Sequence, residues 1–424
     1  MTEPDDDGHH WYYDHPRTLL GALQRGHGRG VLRARRDRRD PGVAEAVYGC
    51  IARDHRWDRQ VDDCGDYLAR LIRDLDLDLA PIIDLFWTAD RDLDLHDGAS
   101  YDEGTFHVTL GVLETLGHTG DRRAVDALRR AVAEAEHWTA VLDEITDRWP
   151  RQSWDDLDTV LLSRLTPQDE DDLLGFRDPW ATWARRHPRI ADLTRLTAER
   201  PARPPTPVPR SSDALVAVLG DPLASRGERA AALRELIRSA PEPRLLDLAE
   251  DLYGTPSLYR AVSRLGSAAV GHARGWAQDG RMHRFGVALL AAYGTEQDIP
   301  RLVEAWDRQW ESEDWCGFDG LADGFARFGA VAADAVPRLR AMWRWTPHSY
   351  ERAACLRALL AVDPLAAEVP LGQGLLDSES GVREFAVAHV QLDHVTRRVL
   401  GGLAHDPIES PEVRRLAATR LASR

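Results

Sequence analysis

The stretch LLDSESGVREFAVAHV, Leu375–Val390, and its echo LAHDPIESPEVRRLAATRL, Leu403–Leu421, decide how this chain is read. Each places an Asp, a short polar turn, then Val-Arg and a run of small and apolar residues at helical spacing. Arg383 and Arg414 stand 31 residues apart; Arg352, in SYERAACLRALL, lies another 31 upstream. Arg229, in RGERAAALREL, lies 123 residues before Arg352, close to four such periods. A fixed period of this size fits one helix pair per repeat, because such a pair buries its apolar face only against its neighbours. The partner helices are legible in DAVPRLRAMW, Asp334–Trp343, and QDIPRLVEAW, Gln297–Trp306. Pro300 and Pro337 are expected in a first helical turn, where the missing N–H costs least.

The pattern Asp377, Val382, Arg383 and Ala386 resembles HEAT repeats, in particular the short type found in phycobilisome lyases. Asp406, Val413, Arg414 and Ala417 repeat it with a two-residue insertion, whereas Arg229 and Arg352 follow Glu and rest on spacing. The resemblance covers about half the chain. It implies an all-α fold, an α-solenoid of helix pairs, with Asp and Arg forming a ladder along the turns and Ala positions letting helices approach.

Working outward, PARPPTPVP at Pro201–Pro209 holds five prolines in nine residues and reads as a linker. The expected organisation is an acidic tail at 1–15, a helical HEAT-like region at 16–199, a Pro-rich linker at 200–212 and a HEAT-repeat region at 213–424. In the first region GVLETLGHTGDRRAVDALRRAV, Gly111–Val132, has two helices around a Gly-Asp turn, and His15–Gly26 and Asp62–Leu75 have helical apolar spacing. No segment alternates as a strand would.

Of 424 residues, 70 are acidic and 54 basic, giving a formal charge of −16, and every base other than His is Arg. That balance argues against a long contact with nucleic-acid phosphates. Cys50, Cys64, Cys316 and Cys355 are too dispersed for a zinc ribbon or a disulfide framework, and no apolar run reaches membrane-spanning length. The expectation is a soluble cytoplasmic protein with no cofactor and no metal.

Three features compete as sites. Arg25, Arg29, Arg33, Arg35, Arg36, Arg38 and Arg39 form a basic patch that suits acidic groups, or a solvated helix end paired with Asp37 and Asp40. The acidic segment Asp74–Glu103, tested as a calcium loop from Asp92, puts Asp94 and Glu103 in register but His96 and Gly98 out of it. The tryptophans cluster: Trp180 with Trp183, Trp306 with Trp310 and Trp315, Trp343 with Trp345. Exposed, they anchor a partner; buried, they pack repeats together.

No HExxH, GxSxG or P-loop motif occurs, so no catalytic residue is assigned. His389 and His394 read as one helix, at a spacing that does not converge on a metal. The expected function is a non-catalytic scaffold or adaptor that captures a protein or peptide, preferably a basic one, through Trp306, Trp310, Trp315, Trp343 and Trp345. The alternative is a HEAT-like DNA-repair glycosylase using Trp with a carboxylate, as in Trp57-Asp58, Trp154-Asp155 or Trp306-Asp307, or a lyase-type accessory subunit.

Overall fold

The computed structural model describes residues 13–53, 64–93, 101–165, 178–191, 210–278 and 280–423, with only the helical backbone of 101–103. The Pro201–Pro209 linker, most of the acidic tail and the calcium-loop positions 94–100 lie outside the described residues. Those residues form 24 α-helices and five 3-10 turns, and no strand occurs among them. By compactness the chain divides into two units, 1–203 with 371–424, and 204–370.

In the first unit, helix Tyr101–His118 packs against Cys64–Leu75, Ala80–Asp92, Arg122–Glu134 and Trp138–Arg148. Apart from the exposed His107 and His118 it is largely buried: Phe106, Val108, Leu110, Val112, Leu113 and Leu116 are closed off, and so are Thr109, Glu114 and Thr115. A helix without a polar face belongs at a centre. Small residues set the approach distances. A Cβ on Gly65 would lie 3.1 Å from the backbone of Gly111, and one on Gly117 would strike the Trp149 ring at 2.4 Å. The Gly-Asp turn reads as expected: Gly120 has φ +101°, and the Asp121 side chain accepts from the amides of Arg123 and Ala124 to cap the next helix.

Helices Ser380–His389, His394–His405 and Pro411–Ala422 complete this unit. The break at 390–393 corrects the reading of His389 and His394 as one helix: Asp393 caps the second helix by accepting from the Thr396 amide. The join to the N-terminal helices includes a backbone contact. Ser378 N–H donates to the Gly26 carbonyl at 2.8 Å, and Gly28 lies so close to the Gln373 carbonyl that no Cβ would fit.

In the second unit, neighbours in sequence are neighbours in space. His283–Tyr293 packs on Val270–Trp276, Ile299–Glu311 and Phe318–Phe328, and the last of these packs on Glu351–Val362. Pro300 and Pro337 both fall in first helical turns. Ser225 and Glu228 form a reciprocal capping box at the start of Arg226–Leu236. Close approach again depends on glycine: a Cβ on Gly286 would lie 2.5 Å from the Ala277 nitrogen and 2.7 Å from the Ala273 oxygen.

Those atoms are backbone and cannot swing away, so Gly286→Ala should destabilise the second unit by about 1–3 kcal/mol. Gly271→Ala, where a Cβ meets nothing within 4 Å, should be neutral or stabilising by up to about 1 kcal/mol, because Ala is the better helix former. Urea denaturation of both variants measures the contrast; equal stabilities would refute the close approach.

Candidate functional site

Helix Ile299–Glu311 carries an apolar stripe of Ile299, Leu302, Ala305 and Trp306, which decides its inward face. Trp306 is 1% exposed, with its ring 4.6 Å from Phe318 and 5.8 Å from Phe325. Trp343 is buried too. These two residues of the expected binding set are therefore core. Trp310 and Trp315 are half-buried and meet edge to face at 5.0 Å, and Trp345 is half-buried as well. Beside the Trp310–Trp315 pair, Glu311 and Glu313 are exposed, and Asp314 pairs with Arg284.

The same helix hairpin borders a cavity of about 300 Å³ lined by His283, Arg308, Gln309, Cys316 and Leu321 among others. Cys316 is exposed, and its Sγ lies 3.7 Å from Nε2 of His348. A thiol beside an imidazole can serve as a nucleophile, but acyl transfer also needs donors for the developing oxyanion. Here the amides of Gly317 and Phe318, which open helix Phe318–Phe328, donate instead to Oε1 of Glu351 at 2.9 and 3.1 Å. Glu351 is fully buried and also accepts from Thr346 Oγ1 at 3.1 Å. Burial pushes its carboxyl up to about 8 against the pull of those donors. The arrangement ties the start of helix Phe318–Phe328 to the start of helix Glu351–Val362. Cys50 and Cys355 are buried, which raises both thiols far above their ordinary values.

In the first unit the basic patch does not act as one surface. Arg25 is buried and donates through Nη1 to the carbonyls of Asp14 at 2.7 Å and Gly21 at 2.8 Å. Arg29 is half-buried, Arg33 and Arg36 pair with Asp37, and Arg38 and Arg39 are exposed. Arg35 differs, because it pairs with Asp74 at 2.5 Å across a cleft of about 470 Å³.

Helix Cys64–Leu75 brings Arg70 and Arg73 into that cleft, and the C-terminal helices bring Arg383, Arg398 and Asp406. Arg73 donates to both oxygens of Asp406 at 2.6 and 3.1 Å, and its Nε donates to Asp74 at 3.0 Å. Burial alone would raise the Asp406 carboxyl, yet the Arg73 hydrogen bonds and the Ile408 amide hold it below the usual carboxylate value. Arg383 donates to both oxygens of Glu409 at 2.8 Å. Arg70, 9% exposed, lies 3.4 Å from Asp406 and from Glu409, and burial lowers its pKa.

None of Arg70, Arg73, Arg398 or Glu409 stands out in the sequence. Arg383 and Asp406 do, as members of the repeat motif, but a period of 31 carries no sign of a partner in helix 64–75.

Within the acidic segment, Asp90 is buried and accepts from the amides of Glu136 and His137. Among the described residues no group of three or more His, Cys, Asp or Glu is arranged to hold a metal, and no helix is long and apolar enough to cross a membrane. The carboxylates of two Trp-Asp dipeptides are paired, Asp155 with Arg186 and Asp307 with Arg338, while Trp57-Asp58 lies outside the described residues. Trp180 and Trp183 are buried, their rings 5.6 Å apart. Compared with known protein families, curated proteins and solved structures, the chain matches none.

Proposed function

We propose that this chain is a non-catalytic recognition protein of HEAT-repeat type, and that its second unit takes a basic protein segment across Trp310 and Trp315. The observation that carries the reading is the half-buried Trp310–Trp315 pair, set edge to face at 5.0 Å beside the exposed Glu311 and Glu313. Two rigid rings held by Phe318 lose little freedom on binding and present faces that attract guanidinium or ammonium groups. The neighbouring carboxylates, in a chain of charge −16, steer a cationic partner and select against an acidic one. The HEAT assignment is supported by the 31-residue spacing and by the packing of successive helices in the second unit.

Titration of the full chain with a nona-arginine peptide, followed by tryptophan emission and calorimetry, tests this. Trp310→Ala/Trp315→Ala is expected to weaken binding at least about tenfold, in keeping with aromatic anchors at an interface, with helical circular dichroism retained. A nona-glutamate peptide should not bind. Unchanged affinity in the double variant, or equal binding of the acidic peptide, would refute the assignment of this surface.

A further inference from the structure

The arginine cleft of the first unit is more than an ion-pair network. Five guanidinium groups, from Arg35, Arg70, Arg73, Arg383 and Arg398, line the cleft, and four of them pair with three carboxylates, those of Asp74 and Asp406 on its wall and of Glu409 behind it. The surrounding chain is acidic overall, so this surplus of cation is a local inversion of charge.

The carboxylates are also committed. Both oxygens of Glu409 accept from Arg383, and Oε1 accepts the Ser410 amide as well. Both oxygens of Asp406 accept from Arg73, and Oδ1 takes the Ile408 amide. Arg70 is consequently held near both by charge, but among the described residues its Nε and Nη2 find no hydrogen-bond acceptor. Arg398 is exposed on the cleft wall and makes no hydrogen bond or ion pair among the described residues. Arg70, with two buried N–H groups that lack a hydrogen bond, and Arg398, open on the same cleft, offer guanidinium donors of the kind that take an oxyanion.

Apart from Tyr67 and His405, the rest of the wall is apolar, with Val31, Leu71, Leu376 and Leu403 contributing. A volume of about 470 Å³ falls in the range of small-molecule sites, about 300–1,000 Å³.

We propose that this cleft binds a small organic anion, a phosphate monoester or a carboxylate joined to an apolar body, with Arg70 and Arg398 on the oxyanion and the apolar wall against the remainder. This goes beyond the recognition surface of the second unit and does not depend on it.

Calorimetric titration of the full chain with phenyl phosphate, benzoate and inorganic phosphate tests it. Saturable one-to-one binding of phenyl phosphate or benzoate is expected, at least about tenfold tighter than inorganic phosphate, because only the former two use the apolar wall. Which of the two binds more tightly identifies the oxyanion. Arg70→Met should abolish binding, and Arg398→Gln, at an exposed position that folding does not need, should weaken it about fivefold or more. Arg39→Gln, outside the cleft, should leave it unchanged.

No saturable heat up to about 10 mM of either aromatic anion, a range that still detects millimolar affinity, would overturn the proposal. So would an affinity unaltered by Arg398→Gln, or one lowered equally by Arg39→Gln.

Discussion

Replacing Glu409 with alanine should destabilise the first unit by about 3–5 kcal/mol, the usual cost of removing one partner from a buried ion pair. Glu409 and Arg383 are 2% and 1% exposed, and the carboxylate receives two hydrogen bonds of 2.8 Å from the guanidinium. Arg383 would keep its bonds to the carbonyls of Asp377 and Ser378, but it would lose the carboxylate that takes two of its hydrogen bonds. Arg70 would at the same time lose one of the two carboxylates that hold it. The variant therefore weakens the hold on two buried cations at once. Chemical denaturation should show a lower midpoint, and hydrogen exchange should speed up first in helices 380–389 and 411–422.

The complementary variant, Arg383→Met with Glu409→Leu, should recover most of the loss, since apolar residues of similar volume in place of a buried pair are often neutral or better. A loss under about 1 kcal/mol for Glu409→Ala, which is the scale of an exposed pair, would show that water reaches this carboxylate. A double variant no more stable than the single would show that shape at the site matters more than charge.

The same two residues mark how far the sequence could be read. Helical spacing, the Gly120-Asp121 turn, Pro300, Pro337 and the Asp and Arg of the repeat motif are local signals, and local signals survive without knowledge of the fold. The motif places Arg383 beside its own turn, where it does bond to the Asp377 and Ser378 carbonyls. It does not say that Arg73, 333 residues before Asp406, closes on the next turn, at Asp406. Pairing at that distance leaves no periodic trace in a single chain.

The tryptophans show a second limit. A spacing of four puts Trp306 and Trp310 on one side of a helix, but the stripe of Ile299, Leu302 and Ala305 ends at Trp306. Trp306 is core, while Trp310, one turn later, stands at the helix end. For Arg25–Arg39, composition suggested one patch; helix geometry disperses it, directing Arg25 inward and Arg35 across the cleft.

Raising the pH from 5 to 9 should destabilise the second unit, and Glu351→Gln should remove most of that loss. The carboxyl has an ordinary value of 4.5 and is pushed up to about 8 by burial in the folded chain. Between those values the folded state holds a proton that the unfolded state has released. Stability from this group is therefore complete below about 4.5, falls as pH rises through about 8, and is level above it. The full span would be on the order of 4 kcal/mol, with relaxation of the site reducing it.

Glutamine keeps an oxygen to accept the Gly317 and Phe318 amides and offers an N–H to Thr346 Oγ1, so the helix start stays tied while the titration is gone. Glu114 of the first unit is also raised by burial, to about 7, so the decisive interval is pH 7 to 8.5, where Glu351 contributes more. Melting temperature against pH for both proteins makes the comparison. If the two curves run parallel through that interval, the Gly317 and Phe318 amides outweigh desolvation and Glu351 is ionised in the fold. Its carboxylate would then act as a charged cap on helix Phe318–Phe328, and the variant should be less stable at every pH above 5 by about 1–3 kcal/mol.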